Sequence, residues 1–483
     1  MIGRREEIKQ LTALYENDSA EFVALYGRRR VGKTFLISEL FRENMTFRHA
    51  GLSPLDDRYA KENGKKSRTK DQLKHFYRSL LSAGLKKSRQ PATWLDAFYM
   101  LEDFLEEKDN GTDRLLIFLD EIQWLDTPRS GFLTGLEAFW NGWACHKHNI
   151  MLIVCGSSTS WILDKLIHNH GGLYGRVTCQ INLRPFTLCE CEAFFRSRDI
   201  EMSRYDITQA YMMVGGIPYY LNYFQKEFSL AQNINAMFFE EYAPLKNEFD
   251  DLFASLFGNP EEMKSIISAL SRKNTGFTRQ ELLKKTGIAD GGVFSQFLKA
   301  LVTGTFIRKY CPFGVGKNEE RYKLTDPFCL FWLKFGKEKR RVDWQNLADT
   351  QPVAVWSGYA FENVCWNHIK QIKQALGISG VSTEETLWYQ KGGKETEGSQ
   401  IDLLISRKDH VIHLCEMKFY NDEYVQNKEE HLKLMRRRNL LLKLIPKRAS
   451  VHNTLITTYG RGNNAYASDY IHTLTLDDLF LNI

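Results

Sequence analysis

The chain has 483 residues, of which 43% are hydrophobic, 26% charged and 13% aromatic. These are globular proportions that exclude a disordered or fibrous chain, and the length corresponds to about three domains. Lys and Arg number 65 against 59 Asp and Glu, and the formal charge of +6 permits a nucleic-acid partner without demanding one.

Nine cysteines are scattered without a CxxC pair. A zinc ribbon or a thioredoxin-type pair is therefore not expected, and dispersed thiols suit a reducing cytoplasm. The opening MIGRREEIKQL carries charge where a signal peptide needs an apolar run. No stretch approaches about 18 uncharged apolar residues, so no membrane partner is expected.

Glu21–Tyr26 (EFVALY) has the apolar run of a buried strand. GRRRVGKT follows at Gly27–Thr34, and then FLISELF with helical spacing. Strand, glycine loop and helix, at the spacing G-x-x-x-x-G-K-[ST], form a phosphate-binding loop. Gly27 and Gly32 let backbone N–H groups turn toward phosphates. Lys33 neutralises β- and γ-phosphate charge, and Thr34 offers a hydroxyl to Mg²⁺. The cofactor-binding stretch comprises Gly27, Arg28, Arg29, Arg30, Val31, Gly32, Lys33, Thr34 and Phe35, with ATP and Mg²⁺ as the expected cofactors.

A second strand, Leu115–Leu119 (LLIFL), leads into Asp120-Glu121. Beside a phosphate loop, Asp120 can hold Mg²⁺ through water and Glu121 can take a proton from the attacking water. A third strand, Asn149–Cys155, ends in GSST. There Ser157 or Ser158 either contacts the γ-phosphate or caps the helix after it. Arg176, in GGLYGRVT, is either an arginine finger acting in trans or a surface salt-bridge partner. The polar, basic Leu52–Lys74 reads as a mobile loop leading into a helix, able to touch DNA or simply solvated.

These motifs carry a resemblance. IGRREE, GRRRVGKT, LLIFLDEIQWLD, CGSSTSWI, GRVTCQINLRPFTLCE and VGGIPYYL together resemble the archaeal and bacterial P-loop ATPase family related to AAA+ and STAND proteins. The resemblance covers residues 1–230 and implies a parallel sheet with a helical lid. It also implies that Gly3 and Arg4 lie near the adenine, and that Gly216 and Pro218 lie where the lid meets the nucleotide. ATP rather than GTP follows from the resemblance alone; whether the chain forms a homo-oligomer in which Arg176 serves a neighbour stays open.

Residues 231–345 read as a winged-helix domain. Apolar positions at helical spacing in Glu261–Ser271 precede Thr278 and Glu281 in capping-box register. A second helix over VFSQFLKALVTGTFI and two strand-like arms around a Gly/Asn-rich tip complete the order. The second helix carries Gln296 and Lys299 but few arginines, and it either enters a major groove or packs as a regulatory module. The aromatic TDPFCLFWLKFGKEKRR that follows reads as core.

Residues 346–483 read as a third domain. A helix over Tyr359–Lys370 carries Glu362 in its first turns, a strand covers Glu385–Gln390, and a polar turn follows. Asp402 in QIDLLI and Glu416 in VIHLCEMKF then sit on two strands of a hairpin. Lys418 shares a strand face with Glu416. Asp402, Glu416 and Glu362 can bind Mg²⁺ with the Met417 carbonyl, and Lys418 can assist the attacking water. An Asp, thirteen intervening residues and then Glu-x-Lys resemble the PD-(D/E)XK nuclease superfamily. More closely, the region resembles the C-terminal domain of unknown function that accompanies this ATPase in many prokaryotic proteins. Ile401-Asp402 stands where that pattern has Pro-Asp. The basic runs Lys433–Arg438 and Lys443–Arg448 suit phosphate contacts or a solvated helix surface.

The fold class expected is thus α/β: a P-loop NTPase parallel sheet with a helical lid, a winged helix, and a C-terminal restriction-endonuclease-like domain. The expected function is ATP hydrolysis coupled to DNA binding and metal-dependent DNA cleavage. The alternative is an ATP-dependent regulatory switch whose nuclease-like domain is inert.

Overall fold

The computed structural model describes residues 2–53, 68–168, 170–256, 258–316, 319–337, 343–390 and 398–483. Most of the Leu52–Lys74 loop, the polar turn at 391–397 and the basic end of the aromatic segment at 338–341 lie outside them. The chain forms two compact units, Gly3–Arg184 and Pro185–Ile483.

The first unit is built on five parallel strands: β1 (Glu21–Tyr26), β2 (Met45–Ala50), β3 (Leu115–Asp120), β4 (Ile150–Gly156) and β5 (Cys179–Asn182). Their spatial order is β2-β3-β4-β1-β5. β3 and β4 are buried along their whole length, which is why they read as unbroken apolar runs rather than alternating ones. On one face Phe22, Phe47, Ile117 and Leu152 join one core with Phe76, Trp94, Phe98, Phe132 and Phe139 from the helices Arg68–Ala83, Trp94–Lys108 and Phe132–Gly142. Aromatic pairs tie these helices together, with Phe76–Trp94 at 5.5 Å and Trp94–Phe132 at 5.0 Å between centroids, both edge-on. A Cβ on Gly135 would stand 2.9 Å from the Phe98 ring and 3.1 Å from Trp94 backbone, so only glycine permits this helix approach.

The second unit begins with the helices Leu188–Arg196 and Arg204–Val214. Further on come the helix Pro260–Leu270, β6 (Phe277–Thr278), the helices Arg279–Thr286 and Gly292–Thr303, β7 (Ile307–Tyr310) and β8 (Arg321–Leu324). The three short strands pair antiparallel in the order β6-β8-β7. The expected capping box is present: Thr278 accepts from the Glu281 N–H, and the Glu281 carboxylate accepts from the Thr278 N–H at 2.8 Å. The aromatic segment is indeed interior. Phe328, Phe331 and Phe335 are buried, and Phe331 and Phe335 pack edge-on to Trp344.

A second sheet follows the helix Gln351–Asn367. β9 (Thr383–Gln390), β10 (Ser399–Arg407) and β11 (Val411–Lys418) run antiparallel. After the helix Lys428–Leu442, β12 (Ser450–Thr457) and β13 (His472–Leu474) continue parallel to β11, giving the order β13-β12-β11-β10-β9. Ile401, Leu404, Leu414 and Leu455 form a core with Leu434 and Leu441 of the helix Lys428–Leu442. The helix expected over Tyr359–Lys370 starts earlier, at Gln351, with Pro352 in its first turn where a missing N–H costs nothing. Glu362 therefore sits deep in this helix, not in its first turns.

That helix ends at His368, which is fully buried. Its Nε2 accepts the Leu188 N–H at 2.9 Å, so its Nδ1 proton is the one given to the Val364 carbonyl at 2.7 Å. Both contacts require the neutral ring, and burial holds its pKa down to about 4. The unfolded chain takes up this proton near pH 6.5 and the folded chain does not. Stability from His368 is therefore complete above pH 6.5 and is lost as pH falls toward 4, by about 3 kcal/mol in all. Thermal melting of His368→Gln should show a shallower pH dependence than the parent between pH 4 and 6.5.

Candidate functional site

The strand order creates the first site. β4 lies between β1 and β3, so the C-terminal ends of β1, β4 and β3 stand side by side at one edge of the sheet. The glycine loop leaves β1, Ser157 follows β4, and Asp120-Glu121 closes β3. Crevices at the carboxyl ends of parallel strands are where such sheets bind ligands.

Gly27 has φ 145°, and a Cβ there would lie 2.3 Å from the Leu183 carbonyl oxygen. Gly32, at φ 93°, caps the helix Lys33–Leu40. Both glycines are needed for backbone conformations that side-chain-bearing residues avoid. Arg30 adopts the left-handed region at φ 72°. Lys33 is buried, and its Nζ donates 3.0 Å bonds to the Gly27 and Arg28 carbonyls, so the ammonium lies within the loop's own curve. Arg28 and Val31 are buried, and Phe35 is 60% exposed.

The Thr34 hydroxyl donates to Asp120 Oδ2 at 2.8 Å. Burial, with Glu121 next to it, pushes the Asp120 carboxyl above its usual range, and the Thr34 bond opposes the shift. Two oxygens from opposite sides of a phosphate loop suit a hard cation such as Mg²⁺. Glu121 sits at φ 46°, and its N–H donates to Asp120 Oδ1 at 2.9 Å. Its carboxylate Oε2 accepts three bonds: from the Ser157 N–H at 3.1 Å, the Ser157 hydroxyl at 2.8 Å and Gln123 Nε2 at 2.5 Å. The choice between Ser157 and Ser158 is thereby resolved in position. Ser157 touches Glu121, whereas Ser158 heads the helix Thr159–Ile162 without a side-chain cap bond. Gln123 escaped the sequence reading. Its two-residue spacing from Glu121 was the only available signal.

Arg4 is 6% exposed, and its guanidinium donates to the Val31 carbonyl at 2.9 Å and to the Arg184 carbonyl at 2.5 Å. It braces the glycine loop rather than presenting a free face. Gly3, beside it, has φ 65°. Arg176 is exposed in a turn whose N–H bonds to the Leu173 carbonyl. In the second unit, Pro218 opens the short helix Pro218–Leu221, and Gly216 presses on Phe186, whose N–H donates to the Gly216 carbonyl at 2.6 Å.

The C-terminal sheet brings its predicted residues together only in part. Leu403 pairs with Cys415, so Asp402 and Glu416 face each other one step on. The β9 pairing shifts register between Ile401 and Leu404, around Asp402, and Trp366 Nε1 donates to the Asp402 carbonyl at 3.0 Å. Glu416 is ion-paired. Arg437 bonds to its Oε1, and Lys418 turns to Glu430 at 3.5 Å. Glu362 is buried, and its Oε2 accepts from Asn274 at 2.8 Å and Lys323 at 3.3 Å. Burial first, and then Asp402, push the Glu362 carboxyl up to about 7, against the pull of Lys323. The expected metal set of Glu362, Asp402 and Glu416 is thus engaged by side chains: Glu362 by Asn274 and Lys323, Asp402 by Gln400, and Glu416 by Arg437. Among the described residues, the metal-competent group of three or more is instead His413, His452 and His472. Burial explains two of these pairings: the enclosed Glu362 and Glu416 have each taken a cationic side chain as partner. Lys323 and Arg437 lie 39 and 21 residues away from their partners, beyond any local motif. A cleft of about 390 Å³ beside this region has Lys433, Arg436 and Arg437 in its lining, together with Tyr389, Gln390 and Gln400. The second basic run, Lys443–Arg448, is mostly exposed.

Comparison with known proteins bears on the first unit and reaches into the second. Residues 1–224 match the model of an ATPase domain found predominantly in Archaea. An uncharacterized protein of Methanocaldococcus jannaschii is 24% identical over 425 residues, covering 83% of each chain. A 41% match over 51 residues, 11% of this chain and 85% of the relative, is to an uncharacterized ATP-binding protein of the same organism. Among solved structures, the Walker-type ATPase of Pyrococcus abyssi aligns at 20% identity over 69% of this chain and 96% of its own, with a TM-score of 0.49. The ORC2 protein of Aeropyrum pernix, in ADPNP–ADP complexes, aligns at 13% over 68% and 92%, with a TM-score of 0.41. With the glycine loop and the Thr34–Asp120 pair in place, residues 1–224 carry a P-loop ATPase domain.

Proposed function

We propose that this chain hydrolyses ATP and couples the reaction to nucleic-acid binding. The observation that carries the reading is the alignment of Thr34, Asp120 and Glu121 beside the glycine loop, with Glu121 oriented by Ser157 and Gln123. Thr34 and Asp120 are the residues that would hold Mg²⁺, which would supply charge neutralisation for the phosphates. The loop N–H groups and Lys33 position the phosphates. Glu121 accepts the proton of the attacking water, and the Ser157 hydroxyl orients that carboxylate. Arg176, exposed in its turn, is available to a second copy of the chain.

The division proposed is an ATPase with its lid over 1–230, a winged helix over 231–345 and a nuclease-like domain over 346–483. The helix, paired-helix and hairpin order around β6-β8-β7 supports the winged helix. Val293, Gln296 and Lys299 form an exposed row on the helix Gly292–Thr303, the face such a helix offers to a groove. In the last domain, the meander β9-β10-β11 followed by a helix and the parallel β12 supports the nuclease-like fold, with Asp402, Glu416 and Lys418 as its catalytic set. The basic cleft at Lys433, Arg436 and Arg437 suits a phosphate backbone.

A second reading, in which this domain clamps nucleic acid without cutting it, is favoured by the pairs Glu416–Arg437 and Glu362–Lys323. The two readings part in one assay: supercoiled and linear DNA with Mg²⁺ or Mn²⁺, with and without ATP, against Glu416→Ala. Cleavage lost in the variant supports the nuclease. Salt-sensitive binding without cleavage supports the clamp.

Glu121→Gln should retain nucleotide binding and lower the ATP hydrolysis rate by about 10²–10⁴-fold, read by phosphate release. Arg437→Leu should strand the Glu416 carboxylate and cost about 3 kcal/mol in denaturant melts. The Arg437→Leu, Glu416→Gln double variant should recover most of that loss.

A further inference from the structure

Three histidines lie on consecutive strands of the C-terminal sheet: His413 on β11, His452 on β12 and His472 on β13. Their convergence follows from register. His413 pairs directly with His452, and His472 pairs with Thr454, two residues beyond His452. Directly paired residues share a sheet face, and so do residues two apart on one strand. All three rings therefore project on one side, with centroids 5.4–5.6 Å apart. One ring nitrogen from each lies within 4.8 Å of the others. This is the face opposite the one that carries Glu416, since Glu416 is three residues from His413 on β11.

The chemistry around the rings is that of ligands. His413 is fully buried, and its Nδ1 lies 3.1 Å from the Thr454 hydroxyl. The hydroxyl orients the His413 ring, as outer partners orient ligating imidazoles. His452 Nδ1 is a buried polar atom without a hydrogen-bond partner among the described residues. The charged neighbour is Arg407, whose Nη1 is 3.5 Å from His413 Nε2, and it is paired to Asp409 in the adjacent turn. Asp409 thus offsets part of the Arg407 charge beside the rings.

We propose that His413, His452 and His472 form a binding site for a zinc-class divalent ion, separate from the carboxylates of the nuclease-like site. Three imidazoles favour zinc and neighbouring first-row metals over Mg²⁺ or Ca²⁺. At zinc–nitrogen lengths of 2.0–2.1 Å, tetrahedral nitrogens stand about 3.4 Å apart, so the three rings close inward on the ion. The ion ties β13 to β12 and β11, where β13 is only three residues long.

The test uses the full, untagged chain, stripped with chelator and kept in excess Mg²⁺ to occupy carboxylate sites. Titration with Co²⁺ should give one equivalent per chain with the visible absorption of a tetrahedral nitrogen site, displaced by Zn²⁺. His452→Ala and His472→Gln, at half-buried positions, should abolish the band while preserving the circular dichroism spectrum. Thr454→Val should weaken binding by about 10–100-fold. His146→Ala, on the surface of the first unit, should change nothing. Absence of saturable binding in the parent, or equal stoichiometry in parent and His452→Ala, overturns the proposal. If His452→Ala proves unstable, the His472→Gln and Thr454→Val titrations decide alone.

Discussion

The hydrogen bond from Thr34 to Asp120 is the constraint on which the first unit depends. It joins the start of one helix to the end of a strand that is not the neighbour of β1. That reach is possible because the parallel sheet brings three strand ends to one edge. β4 sits between the two halves of the site and contributes Ser157, so Glu121 is oriented from the strand between. Arg4 sets the loop from the other side by bonding to the Val31 carbonyl. The site is thus fixed by backbone carbonyls and strand order rather than by any single side chain.

Much of this was legible in the sequence because it is local. The glycine loop, the acidic pair after an apolar strand and the capping box at Thr278 are each specified within a few residues. The strands β1, β3 and β4 were legible because burial on both faces leaves an unbroken apolar run. What stayed hidden was long-range pairing. Nothing near Glu362 announces Lys323, and nothing near Glu416 announces Arg437. The histidines at 413, 452 and 472 look unremarkable one by one, and only strand register brings them together. Gln123 shows the same limit on a smaller scale, since its role depends on where Ser157 arrives.

The two ends of the chain manage buried carboxylates differently. Asp120 is enclosed but answered by a neutral hydroxyl and a backbone N–H, which leaves its charge available to a cation. Glu362 and Glu416 are answered by full positive charges from other elements. A carboxylate held by Lys or Arg is a structural strut, and it becomes a ligand only if its partner is drawn elsewhere. In the last domain a polyanion lying in the cleft of Lys433, Arg436 and Arg437 would be such an attraction. Substrate and metal readiness would then be linked through Arg437.

The posture of Lys33 has a similar consequence. Its ammonium is already bonded to two carbonyls of its own loop, so the loop serves as an internal stand-in for the phosphate. Nucleotide binding here is an exchange of partners rather than the capture of a bare charge. Such an exchange conserves the number of bonds to the lysine. Selectivity then rests on what the carbonyls cannot offer, which is negative charge. A neutral mimic of the same shape would have little to gain from displacing them.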